Sequence, residues 1–247
     1  MARLLLLTLL LSLFNNLHHN ALVAAQKVAK TYTGWDCCKP ICASINNRPS
    51  LLDTRGAVRV CNKSNQPLPT PAGVSAVTGC QAGVNTNNAA YLCDTYQPIP
   101  VSNDLSYGFA IQVQDSQAAD HPSCCKCYQL QWLNGGAANK TMIVQVVTPG
   151  GAGGDVKMGD MIILTPGGGV GPLGGTGCSG MYGAGYSWGG AQGGVRSRGE
   201  CERLPANLWG GCFWRWNWAR GEVNGWDVVY QQVECPGRLV SISGCVA

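Results

Sequence analysis

The sequence predicts an all-β-dominated protein, a small barrel with long Gly-rich, disulfide-stapled loops and a few short helices. Three observations carry this. Short β-type runs recur at 107–113, 127–132, 141–147, 161–164, 228–233 and 238–243, each bounded by Gly, Pro, Asn or Asp. The chain holds 14 cysteines and 34 glycines, a content that suits bridged, tight-turning loops. Helical signal is thin: residues 200–209 form the best short stretch, and Pro205 argues against a longer one.

From the N-terminus, Met1-Ala2-Arg3, the apolar run 4–14 and Val23-Ala24-Ala25 ahead of Gln26 have the layout of a secretory signal and its cleavage site. Residues 1–25 are therefore expected to be a leader and 26–247 one domain. The apolar core of the leader is too short for a bilayer span, and no later segment reaches the roughly 18 apolar residues that a membrane helix needs. We expect a secreted, extracellular, monomeric protein with no membrane partner. All 14 cysteines follow the cleavage point, so an oxidising route makes them a disulfide framework. A zinc site lacks ligands, because His121 is the one histidine beyond the leader, and no metal or cofactor is expected. The sequons at Asn62 and Asn139 should lie on the surface.

The net charge of +4 includes Arg3 and is not clustered into a basic run, which argues against nucleic acid as a partner. The Pro-rich stretch 65–71 lies between Cys61 and Cys80, inside the cysteine framework, and reads as a surface loop. From Pro166 to Val195 glycine is dense without a strict period, which excludes collagen and implies wide, tight-turning loops. Such loops on a rigid barrel commonly form binding walls.

The chemical inventory narrows to carboxylates. No nucleophile elbow is present, and a histidine-based hydrolase would have to use His121 beside the paired Cys124-Cys125. The glycines at 167–171 precede more glycine and no helix, so they are no nucleotide loop. Of 13 carboxylates, three have unusual settings. Asp36 is fixed between Trp35 and the cysteines of Trp35-Asp36-Cys37-Cys38-Lys39-Pro40-Ile41-Cys42, a clamp that would make a reacting group precise. Asp155 closes the loop Gly150-Gly151-Ala152-Gly153-Gly154. Asp160 opens the apolar run Met161-Ile162-Ile163-Leu164, where partial desolvation would favour a proton-donating form. Trp214, Trp216 and Trp218 alternate as on one face of a strand, more plausibly packed in the core than stacked on sugar.

At this point the residues resemble a family. Thr33-Gly34-Trp35-Asp36-Cys37-Cys38-Lys39-Pro40-Ile41-Cys42 is similar to the signature of glycoside hydrolase family 45, the small secreted endoglucanases. The likeness continues through Tyr107-Gly108-Phe109-Ala110, Cys124-Cys125-Lys126-Cys127-Tyr128, Pro166-Gly167-Gly168-Gly169-Val170-Gly171, Arg198-Gly199-Glu200-Cys201 and Gly211-Cys212-Phe213-Trp214-Arg215. It implies a six-stranded double-psi β-barrel and a secreted endo-β-1,4-glucanase that inverts the anomeric centre. Asp36 would be the general base, Asp160 the general acid and Asp155 an auxiliary aspartate on a closing loop. Trp35, Tyr32 and Lys39 would contact the β-1,4-glucan.

The resemblance also implies the pairings Cys37 with Cys178, Cys38 with Cys80, Cys42 with Cys124, Cys61 with Cys93, Cys125 with Cys245, Cys127 with Cys235, and Cys201 with Cys212. Departures from the family pattern stand at Thr33-Gly34, where Arg-Tyr is common, at Ala43-Ser44, where an aromatic platform is usual, and at Met158, where a histidine precedes the acid. The 155–160 segment is shorter than is typical. Two non-hydrolytic classes share the barrel. An expansin lacks a counterpart of Asp36 and carries a second domain, for which a chain ending at Ala247 leaves no room; a barwin-like binding protein needs no catalytic pair.

Overall fold

The barrel is built by strands whose apolar residues alternate or run continuously toward one interior. The computed structural model describes residues 26–44, 57–81, 83–114, 122–171 and 174–247; the leader and His121 lie outside the described residues. The strands are β1 (Lys27–Gly34), β2 (Ile99–Pro100), β3 (Leu105–Val113), β4 (Cys127–Trp132), β5 (Thr141–Gly150), β6 (Met161–Leu164) and β7 (Trp226–Val233). Their order is β2-β3-β5-β4-β7-β1-β6, and the β3–β6 pairing closes β3, β5, β4, β7, β1 and β6 into the expected six-stranded barrel. Closure removes the free sheet edges that would otherwise invite aggregation. Two contacts, β1–β6 and β3–β5, are parallel and the rest antiparallel.

Inside the barrel Ala110, Leu130, Met142, Val144, Met161, Ile163, Val228 and Tyr230 pack with Trp132, Trp214 and Trp218. A second cluster, with Trp35, Tyr91, Tyr96 and Phe109 among buried cysteines, fills the bridged side. All seven bridges join the partners that the resemblance implies. Strand β1 is missing from the runs read from the sequence because Lys27 and Lys30 interrupt its apolar character. Its burial nevertheless alternates, with Ala29, Thr31 and Thr33 turned inward.

Four local expectations are corrected. Residues 238–243 are helical, within α4 (Gly237–Ser243; the helices are numbered in chain order below): Pro236 sets the entry, Leu239 and Ser243 bury one face four residues apart, and Gly244 at φ 70° ends it. The tryptophans 214–218 lie on α3 (Trp209–Asn217) and its C-cap, not on a strand. Period-two aromatics also satisfy i,i+4 spacing, and Trp214 stacks on Trp218 at 5.4 Å between ring centroids. The glycine-rich stretch contains α2 (Gly174–Tyr182), which the bridge from Cys178 to Cys37 ties to the signature. The 65–71 loop gives way at Thr70 to α1 (Thr70–Ser75), with proline in its first turn. Residues 200–209 form two 3₁₀ turns, Gly199–Arg203 and Ala206–Leu208, with Pro205 between them.

Candidate active site

Asp36 follows the end of β1, and its backbone is pinned from several sides. Cys37 and Cys38 send their sulfurs apart, to Cys178 on α2 and to Cys80. The divergence holds Cys37 at φ 60°, a left-handed conformation that a non-glycine residue adopts at a cost. The preceding Trp35 N–H donates to Gly169 O at 2.7 Å. That loop is itself braced by the buried Arg215, whose Nη1 donates to Gly167 O at 2.7 Å and Val195 O at 3.1 Å, and whose Nη2 donates to Gly193 O at 3.2 Å. Burial lowers the Arg215 pKa to about 10, which leaves the guanidinium charged at neutral pH.

The Asp36 side chain is half-buried and accepts the Cys38 N–H on Oδ1 at 2.9 Å. Burial pushes its carboxyl above the ordinary aspartate range, against the smaller opposing pull of the N–H groups of Cys38 and of Asp36 itself. It lines an open cleft of about 180 Å³ with Cys38, Lys39, Ile41, Thr78, Cys80, Leu92, Ile111, Thr148 and Leu164. That volume is below the roughly 300 Å³ of an enclosed small-molecule pocket, so the cleft suits one stretch of an extended ligand. Asp36 is the one carboxylate among the described residues that line it.

The register of β1 and β6 sets Asp160 apart from Asp36, although the resemblance implies that the two flank one bond. Strands β1 and β6 run parallel with Thr31 opposite Met161, so Asp160 stands beside Lys30. The four steps from Lys30 to Gly34 alone cover about 13 Å at roughly 3.3 Å each, before Trp35 and Asp36 add their length. An inverting pair needs about 6.5–9.5 Å between carboxyls. Asp160 is also only 4% exposed, with Oδ1 accepting the Lys30 N–H at 2.7 Å and Oδ2 the Lys157 N–H at 2.8 Å. It holds the loop between β5 and β6 onto β1.

Asp155 and Tyr32 meet at that same end: the Tyr32 hydroxyl donates to the Asp155 carbonyl at 2.9 Å, while Asp155 itself is exposed. Burial, and then the charges of Asp160 and Asp155, raise the Tyr32 pKa. Trp35 is 1% exposed and belongs to the core, so its ring is not available as a stacking platform for sugar, another correction. Lys39 lines the cleft, but its ammonium donates to Val74 O at 2.9 Å and Ala76 O at 2.7 Å. It is a strut under the C-terminal end of α1, and burial lowers its pKa.

Sequence reasoning missed Arg215, although an arginine enclosed by tryptophans is a recognisable signal for a buried cation. It missed Ile111 and Leu164 because a cleft-facing aliphatic residue and a core one read alike in sequence. Among the described residues no cluster of three potential metal ligands occurs.

Comparison with known proteins finds relatives over most of the chain. The chain is 38% identical over 216 residues to a Fusarium oxysporum protein named for endoglucanase type K, covering 85% of this chain and 51% of that protein. It thus spans about half the length of that relative. An endoglucanase of Cryptopygus antarcticus is 33% identical over 228 residues, covering 92% of both chains. The crystal structure of a cellulase from that Antarctic springtail superimposes with a TM-score of 0.74 at 31% identity, over 90% of this chain and 98% of the other. The sequence model of glycosyl hydrolase family 45 matches residues 28–246, and the chain belongs to that family.

Proposed function

We propose that this family member is a secreted, monomeric endo-β-1,4-glucanase that cleaves internal bonds of cellulose or a related β-glucan with inversion, Asp36 serving as general base. The observation that carries the reading is the clamped Asp36, raised in basicity by burial and set in an open cleft. In this role Asp36 removes a proton from a water as that oxygen attacks the anomeric carbon. Names of the relatives support the substrate class: those of the springtail Cryptopygus antarcticus and of Phaedon cochleariae are both endoglucanases. Secretion is supported by the leader pattern and the seven bridges. A monomer and the absence of other partners remain part of the proposal.

The test is release of soluble reducing ends from carboxymethyl cellulose by the wild type and by Asp36→Asn. Release that disappears with Asp36→Asn supports the reading. Binding of cello-oligosaccharide without any release would move the protein to an expansin-like or barwin-like role.

A further inference from the structure

Building on Asp36 as general base, we propose that no carboxyl among the described residues serves the cleft as donor for the departing sugar, because Ile162 occupies the position where one would work. The alternation of β1 defines the floor. Thr31, Thr33 and Trp35 are buried, while Tyr32, Gly34 and Asp36 are partly exposed on the opposite face. Across the parallel pairing Tyr32 lies opposite Ile162 and Gly34 opposite Leu164. Leu164 lines the cleft with Asp36, and Ile162, two residues away, shares its face. On its other side Ile162 pairs with Ile111, which like Leu164 lines the cleft. A Cβ added to Gly34 would come within 2.9 Å of Ile162 Cγ2, so this side chain is turned toward the floor residue nearest Asp36.

Strand spacing shows why this position matters. Position 162 stands level with Tyr32, four steps or about 13 Å from Asp36, and two carboxyls reaching toward each other would close that to about 8 Å. That falls inside the window of about 6.5–9.5 Å for an inverting pair. Position 164 is two steps nearer, too close for the intervening water, and Asp160 is two steps farther and bonded to backbone N–H groups. Other polar groups of the cleft are engaged. Lys39 Nζ is held by two carbonyls, Thr78 Oγ1 accepts the Lys39 N–H at 3.2 Å, and Thr148 Oγ1 accepts the Ile41 N–H at 3.3 Å. Among the described residues, the exposed Asp155 is tied to this face through its backbone carbonyl, which accepts the Tyr32 hydroxyl.

The step then balances as follows. Asp36 takes one proton from water, the water oxygen bonds to C1, and the C1–O bond breaks with its electron pair on O4 of the departing glucan. With aliphatic carbon at 162, O4 takes its proton from solvent, forfeiting the roughly 10²–10⁴-fold that a placed acid supplies. Cleavage of ordinary glucan is slow, whereas a leaving group that needs no proton departs readily.

The test compares carboxymethyl cellulose with a series of aryl β-cellotriosides of falling leaving-group pKa, including the 2,4-dinitrophenyl compound. We expect a steep dependence of kcat/KM on leaving-group pKa in the wild type, and no basic limb in its pH profile on polymer. Ile162→Asp should raise polymer kcat by about 100-fold and introduce a basic limb. A flat leaving-group dependence in the wild type would overturn the inference, and needs no variant to fold. So would a wild-type basic limb that is lost in Asp155→Asn or Asp160→Asn, which would name the donor. Failure of the wild type to cleave even the dinitrophenyl glycoside in an Asp36-dependent way would instead remove the base reading, and this inference with it.

Discussion

The Lys30 N–H donates to Asp160 Oδ1 at 2.7 Å, which fixes that carboxylate at the end of the β1–β6 pair remote from Asp36. One aspartate therefore lines the cleft, and the other is bonded to backbone N–H groups of Lys30 and Lys157. Four expectations follow from that division of labour and from the way Asp36 is held.

Asp36→Asn should lower kcat by on the order of 100-fold or more and at the same time raise stability at neutral pH. The folded carboxyl has its pKa raised above 3.8 by burial, so the folded state favours the neutral form. Stability from that preference is full below the unfolded pKa and is lost as pH rises through the folded one. At pH 7 the wild type thus carries a partly buried anion that asparagine avoids while keeping an oxygen for the Cys38 N–H. Each unit of the shift corresponds to about 1.4 kcal/mol. Thermal melts should show the variant's advantage at pH 7 shrinking toward pH 3. In the wild type the acidic limb of kcat/KM should lie above the ordinary aspartate pKa of 3.8. An advantage that grows on acidification would contradict the burial argument.

Asp160→Asn should be a stability variant. An amide offers one oxygen to two backbone N–H groups and turns its NH₂ toward the other, an unsatisfied arrangement worth about 1–3 kcal/mol. Lower Tm with kcat of the folded fraction near wild type is the expected pair of results. A fall in kcat of about 100-fold with Tm unchanged would restore Asp160 as the acid.

How much of this was legible in the sequence depends on the physical range of each signal. The Asp36 clamp was readable because adjacent cysteines constrain the residue beside them locally. The barrel was readable from short runs bounded by turn residues. The place of Asp160 was not legible because sequence spacing gives no register: only the pairing of Thr31 with Met161 shows which end of β6 faces Asp36. The helix at Trp209–Asn217 was read as a strand because aromatics two apart fit both periods until the i,i+4 stack decides. Lys39 looked like a ligand-binding cation, and its two carbonyl partners come from a segment 35 and 37 residues away.

Gly177→Ala should harm both stability and turnover. A Cβ there would overlap Cys80 Sγ and come within 2.5 Å of the Asp36 carbonyl oxygen, so the obstacle is bridged sulfur and backbone. Overpacking of this kind costs about 1–3 kcal/mol, and the displaced atom belongs to the residue proposed as the base. Gly210→Ala on α3 is the control, because nothing lies within 4 Å of its added Cβ. That change should stabilise the helix by about 0.5–1 kcal/mol. Paired denaturant melts and kcat values separate the two, and a Gly177→Ala protein as stable and as active as wild type would show that α2 does not press on Asp36.

On the proposed reading, the stereochemistry of cleavage follows from Asp36 having no carboxylate partner in the cleft among the described residues. A retaining enzyme needs two carboxyls about 5–5.5 Å apart, one of which attacks the anomeric carbon. In this cleft Asp36 is the only lining carboxylate among the described residues, and the Cys38 N–H at 2.9 Å from its Oδ1 holds the group in place at the wall. With Asp36 as the proposed base, attack would fall to a water from the side opposite the leaving group. Proton NMR during early hydrolysis of a β-1,4-glucan or of the dinitrophenyl cellotrioside should show the α-anomer first, ahead of mutarotation. Initial β-anomer, or a glycosyl ester trapped on Asp36, would make Asp36 a nucleophile and remove the water from the mechanism.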